Sequence, residues 1–206
     1  MKPNKILILL FVVLLFSCNQ TPEKKFVLPI IGERHLSNTD TLYHSIGNFT
    51  LTNQYGEAIT EKTVKNKIYV ADFFFATCQS ICPQMSKNLI DVQDAFEKDD
   101  SVLILCHTVN PLHDTAEVLN KYALSYKATK GKWHFLTGNK KVIYDLAKND
   151  YLVNALEDDG TPEGFLHSEL LLLIDWQGRI RGVYDGTDKV QVTKLISDIK
   201  LLKTEK

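Results

Sequence analysis

Ala71-Asp72-Phe73-Phe74-Phe75-Ala76-Thr77-Cys78-Gln79-Ser80-Ile81-Cys82-Pro83-Gln84-Met85 is the stretch from which the rest of the chain can be placed. Ile68 to Phe75 is a short, aromatic-rich apolar run, the pattern of a strand covered on both faces. Pro83 has no N–H to donate but suits the first turn of a helix. Met85, Leu89, Val92 and Phe96 then recur as one apolar helical face, predicting a helix from Pro83 to about Lys98. Cys78 and Cys82 therefore fall between the carboxyl end of a buried strand and the amino end of a helix. Ligands collect at such junctions in open α/β sheets, and the unpaired N–H groups of a helix start favour thiolate over thiol.

Working outward, Ser101 to Val109 is a second buried strand closed by Asn110-Pro111, and Asp114 or Thr115 caps a helix through Val118, Leu119, Tyr122 and Ala123. Trp133 to Gly138 reads as a third strand with its turn, and Val142, Ile143, Leu146 and Ala147 as a third helix. The polar stretch from Asp150 to Phe165 is a loop. Glu169 to Asp175 and Ile180 to Tyr184 then form a hairpin about Gln177-Gly178, and Val192, Leu195, Ile196 and Ile199 mark a closing helix. Upstream, Ile46 to Thr52 alternates into the turn Asn53-Gln54-Tyr55-Gly56, with a partner strand near Ala58 to Thr60. Phe26 to His44 has no clean periodicity and reads as an extended arm. The sum is an α/β chain in the thioredoxin order: three layers about a central mixed sheet, with an extra N-terminal β-hairpin.

The amino terminus is set apart. Lys2 and Lys5 precede an apolar run from Ile6 to Phe16, too short to span a bilayer, and Leu15-Phe16-Ser17-Cys18 is similar to a bacterial lipobox. The expected division is a signal peptide over 1–17, a lipidated Cys18 with tether and arm over 18–45, and a folded domain over 46–206. The location that follows is the bacterial cell envelope, lipid-anchored to a membrane and facing the periplasm. Loss of Lys2 and Lys5 takes the formal charge from −1 to −3. With acids and bases interspersed and no basic stripe, a nucleic-acid partner is excluded. Of the four cysteines, Cys18 goes to lipid, Cys78 and Cys82 pair, and Cys106 is left in a buried strand. One close pair and one odd thiol do not make a disulfide-stapled scaffold.

A third group separates the uses of a thiol pair. His167, in Gly164-Phe165-Leu166-His167-Ser168, stands directly before a buried strand whose end approaches the cysteine helix in a thioredoxin fold. Two thiolates and an imidazole are a soft, low-coordinate donor set that suits copper in either oxidation state. Here the chain resembles the Sco/SenC proteins, membrane-anchored copper chaperones of cytochrome c oxidase assembly. The resemblance is carried by Phe73-Phe74-Phe75, Thr77-Cys78 with Ile81-Cys82-Pro83, Pro111 with Asp114-Thr115, Trp133 to Gly138, His167-Ser168, and Leu173-Ile174-Asp175 with Gly178, spanning about Ile46 to Leu202.

The resemblance implies one copper ion, Cu(I) or Cu(II), held by Cys78, Cys82 and His167 when the thiols are reduced. It also implies delivery to the apo copper-bearing subunit of cytochrome c oxidase, or reduction of that subunit's thiols, alongside other periplasmic copper or thiol-disulfide proteins. Gln79 stands where the family has proline. Asn110 stands where it has aspartate, offering a neutral carbonyl in place of a charge or oxygen ligand for Cu(II). Asn110, Asp114 and Met85 are candidates for the surroundings of the metal; Met85 also suits the core, and Asp114 a helix cap. Cys106 reads as an inert core thiol. The alternative function is a metal-independent thiol-disulfide oxidoreductase cycling Cys78–Cys82, against which stands the absence of a proline just before the last hairpin.

Overall fold

The computed structural model describes residues 26–37, 40–153 and 168–206. Seven strands form one sheet. They are β3 (Thr50–Asn53), β4 (Ala58–Thr60), β5 (Ile68–Phe74), β6 (Val102–Thr108), β7 (Trp133–Thr137), β8 (Leu170–Ile174) and β9 (Ile180–Asp185), in the spatial order β4-β3-β7-β6-β5-β8-β9. Two earlier strands, β1 (Arg34–Leu36) and β2 (Thr41–Tyr43), pair antiparallel as a separate ribbon. The helices are α1 (Glu61–Val64), α2 (Cys82–Ala95), α3 (Ala116–Ser125), α4 (Lys140–Asp145) and α5 (Lys189–Lys203); α4 runs into a π turn over Leu146–Asp150.

All seven residues of β5 are buried, which is why its sequence is a continuous apolar run rather than an alternation. It lies parallel to β6, from Ile68↔Val102 to Phe74↔Thr108, and antiparallel to β8. β6 is in turn parallel to β7. Parallel neighbours require crossovers, and right-handed crossovers stepping in one direction put α2 and α3 on the same face. The Ser86 and Tyr122 hydroxyls, 2.9 Å apart, tie those two helices together. The last hairpin β8–β9 is antiparallel, closed by a tight turn through Trp176, Gln177 and Gly178 between the paired Asp175 and Arg179.

The extra hairpin β3–β4 joins the sheet through a short antiparallel contact between β3 and β7. Gln54 lengthens that contact with its side chain: its amide donates to the Trp133 carbonyl at 2.8 Å and accepts from the Phe135 N–H at 2.9 Å. A glutamine thus satisfies two backbone groups of β7 where the β3 backbone has already turned away. The strand expected over Ile46–Thr52 begins only at Thr50.

The stretch read as an extended arm is bound structure. Ile31 bridges Ile180, extending the sheet beyond β9. Arg181, fully buried, donates to the Pro29 carbonyl at 2.9 Å and the Leu28 carbonyl at 2.6 Å. The same guanidinium pairs with Asp175 at 3.1 Å and Glu205 at 2.5 Å, while the Leu28 N–H donates to Glu205 at 2.8 Å. A polar side chain in β9 therefore fastens both ends of the domain. Further along, the Gly47 N–H donates to Asp150 Oδ1 at 2.7 Å, and a Cβ at Gly47 would stand 2.8 Å from that oxygen, so any larger residue would have to displace the Asp150 carboxyl group. Among the described residues no helix is long and apolar enough to cross a membrane.

Candidate metal centre

β5 ends at Phe74, and four residues later the chain presents Cys78, whose N–H turns back to the Phe75 carbonyl at 3.1 Å. Cys82 opens α2, with Pro83 second in the helix. No side chain caps α2; its N-cap position is Ile81. The Cys82 N–H, one of the donors a helix start leaves over, lies close enough to the Cys78 sulfur to favour its thiolate. Both cysteines are thiols rather than a disulfide, buried, and within hydrogen-bonding reach of each other.

The same neighbours make the two thiols unequal. Burial pushes Cys78 up, but the Ser80 hydroxyl 3.5 Å away, the Cys82 thiol and the N–H groups of Cys82 and Ser80 outweigh it, and its pKa lies below the ordinary 9.0. Burial pushes Cys82 far up, reinforced by the Cys78 sulfur and by the negative charge of Asp72. The helix start thus favours thiolate at Cys78 only; at Cys82, inside the first turn, desolvation wins. Iodoacetamide at about pH 7.5 is expected to modify Cys78 before Cys82, with the Cys78 rate reaching half its maximum below the usual thiol value, because the thiolate is the attacking form. Peptide mapping by mass spectrometry reads the order; equal rates, or Cys82 first, would contradict it.

Of the surrounding candidates, Met85 is 1% exposed and packs in the core, its methyl 3.1 Å from where a Cβ on Gly186 would lie. Asn110 closes a tight turn: its N–H donates to Thr108 Oγ1 at 3.0 Å and its carbonyl accepts from the N–H groups of His113 and Asp114. Asp114 is not a helix cap. Thr115 caps α3, accepting from the Val118 N–H, because its hydroxyl stands one residue nearer the first helical turn. The Asp114 carboxyl group turns inward, fully buried, toward Thr108 and Ala76. His113 is half exposed and pairs with Asp114 at 2.9 Å.

His107 lies on the other face of β6, stacked on Phe73 with ring centroids 4.9 Å apart and held by the Asp72 carbonyl. Cys106 accepts from the Trp133 indole N–H at 3.0 Å, and burial drives its pKa well up, as suits an inert core thiol. Among the described residues no group of three or more His, Cys, Asp or Glu converges on one metal position. His167 and Cys18 lie outside the described residues.

Three features escaped the sequence reading. Asp72 is 3% exposed, one of its oxygens has no partner among the described residues, and burial raises its pKa to about 7. A carboxyl group inside an apolar strand was the available signal. Arg181 left the weaker signal of a charge in an otherwise apolar edge strand, and Thr108 left none.

The SCO1/SenC family model matches residues 37–203. Among solved structures, a SCO1/SenC family lipoprotein from Bacillus anthracis str. Ames superimposes with TM-score 0.70 at 29% identity, covering 78% of this chain and 95% of that one. BsSco, described as having a disulfide switch and as a member of the Sco family of cytochrome c oxidase assembly proteins, gives 0.69 at 27% identity over 79% and 95%. Bradyrhizobium japonicum ScoI with copper bound gives 0.64 at 25% identity over 77% and 99%. With the match running through both cysteines, the central sheet and the closing helix, the chain belongs to the SCO1/SenC family.

Proposed function

We propose that the protein is a lipid-anchored copper metallochaperone of the bacterial cell envelope. It would hold one copper ion through Cys78, Cys82 and His167 and pass it to the copper site of a cytochrome c oxidase subunit. The observation that carries this reading is the pair itself: two thiols within reach of each other at the carboxyl end of β5, with the helix start close to the first of them. Copper in the ScoI relative and oxidase assembly in BsSco support the cargo and the recipient. The pattern Leu15-Phe16-Ser17-Cys18 and the lipoprotein nature of the Bacillus anthracis relative support the anchor.

Copper is the cargo, and this chain's own residues divide the work of taking it. Cys78, with its depressed pKa, gives up its proton more readily than Cys82, which keeps its own until the metal displaces it, so loading releases protons and strengthens as pH rises. Unloading proceeds by ligand exchange, the recipient's thiolates replacing these one at a time. In the purified, reduced protein, His167→Ala is expected to weaken copper binding tenfold or more, about 1.4 kcal/mol. Unchanged affinity in that variant would remove His167 from the ligand set.

A second reading keeps a specific observation on its side. A lowered Cys78 beside a protonated Cys82 is also the arrangement of an attacking and a resolving thiol. If reduced wild type binds no copper yet reduces a disulfide substrate, the oxidoreductase reading replaces the chaperone.

A further inference from the structure

The carboxyl group of Asp114 is fully buried, and three partners from three places meet on it. The Thr108 hydroxyl, the last side chain of β6, donates to Oδ2 at 2.5 Å. The Ala76 N–H, in the loop two residues ahead of Cys78, donates to the same oxygen at 3.0 Å. His113 Nδ1 lies 2.9 Å from Oδ1 and carries the connection out to the half-exposed rim. Ala76 belongs to neither β5 nor α2, so its N–H has no ladder or helix partner. Ala76 is half-buried, and a side chain 38 residues further along supplies the partner.

We propose that Asp114 is a positioning residue for the cysteine pair: it pins the loop leading into Cys78 to the end of β6, and so sets the balance between the dithiol and disulfide forms. This rests on the reading of Cys78 and Cys82 as the working pair. Two arguments carry it. First, Cys78 is in no strand or helix, so its backbone is carried by the loop that Ala76 belongs to, whereas Cys82 is placed by α2. Whatever holds Ala76 therefore holds one thiol against the other. Second, the carboxyl group that makes the hold is fully buried and takes two donors on one oxygen, so it is less open to exchange with water than a surface contact. The bonds are present with the pair as a dithiol, so they support that arrangement, and their loss shifts the pair toward the disulfide.

The test is a redox titration of the purified, metal-free protein in buffers of oxidised and reduced dithiothreitol. The dithiothreitol couple takes up the two electrons and two protons released when Cys78 and Cys82 form their S–S bond. Acid-quenched, alkylated peptides read the pair separately from Cys106. Asp114→Ala is expected to move the equilibrium at least fivefold toward the disulfide, about 20 mV. Asp114→Asn, which keeps an oxygen for Ala76 and Thr108, should restore the wild-type value to within twofold.

A smaller or opposite shift in Asp114→Ala would overturn the proposal. So would an equal shift in Asp114→Asn, since charge rather than hydrogen bonding would then be acting. Ile199→Val, in the core of α5, is the control for general destabilisation and should leave the equilibrium unmoved; if it moves as far as Asp114→Ala, the positioning role fails. Should Asp114→Ala not fold, Thr108→Val, which removes only the hydroxyl that steadies the carboxyl group, carries the test with an expected shift of at least threefold in the same direction; less than that overturns it. Because no copper enters the assay, its outcome is separate from that of the chaperone reading, which the loss of copper binding would defeat by itself.

Discussion

An Asp72→Asn variant is expected to be more stable than wild type by about 3–4 kcal/mol near pH 8, with the difference shrinking to nothing below about pH 4. Asp72 sits in the middle of β5, beside the Cys106 thiol and opposite Cys106 in the sheet register, and burial raises its pKa from 3.8 to about 7. The sign follows from proton binding. Below about pH 4 the folded and unfolded chains both carry the proton, and the group costs nothing. Between about 4 and 7 the fold keeps the proton while the unfolded chain releases it, so stability falls as pH rises; above about 7 the whole cost is present. Asparagine has the shape of the protonated acid and never ionises, so it removes the cost only where the cost exists. Urea unfolding at several pH values reads the effect, and a difference independent of pH would contradict it.

Arg181→Met is expected to cost about 3–5 kcal/mol, the range for breaking a buried ion pair from one side. The guanidinium is 2% exposed and faces two carboxyl groups that are themselves nearly or wholly buried, Asp175 at 0% and Glu205 at 8%. Methionine fills the volume but leaves Glu205 without its cation and the Leu28 and Pro29 carbonyls without their donor. Asp175 keeps Arg179 at 2.7 Å, so the damage concentrates on the arm and the C-terminal end. Hydrogen exchange should therefore quicken first at the Leu28 and Ile31 amides, which donate to Glu205 and Ile180. A loss below about 1 kcal/mol, with those amides still protected, would show that the arm is held by packing alone.

These two residues also mark the limit of what the sequence discloses. The strand–cysteine–helix junction was legible because a buried parallel strand and an amphipathic helix each leave a periodic signature, and Pro83 punctuates the boundary. The hairpin β8–β9 was legible for the same reason, with Gln177-Gly178 at its turn. The arm was not: Ile31, Arg181 and Glu205 are far apart in the chain, and an isolated bridge plus one buried guanidinium has no period to detect.

At the site, residue types located both thiols, yet their inequality depends on which one the Cys82 N–H lies close to, a matter of ångströms. Asp114 followed a proline turn and preceded a helix, the usual place of a cap. The neighbouring Thr115 took that role, leaving the carboxyl group free to turn inward. His167, expected as the third ligand, lies outside the described residues, so its place rests on the sequence and the family resemblance.

The central claim is that this dithiol binds copper, and the most direct measurement is copper stoichiometry on the reduced protein, repeated after oxidation of the pair and on a Cys78→Ser/Cys82→Ser variant. Thiolates ligate only when free of a disulfide. One copper per reduced wild-type chain is expected, and none in either the oxidised protein or the double variant. Copper bound equally by all three would place the metal elsewhere, and no copper on the reduced wild type would leave Cys78 and Cys82 as a redox pair alone.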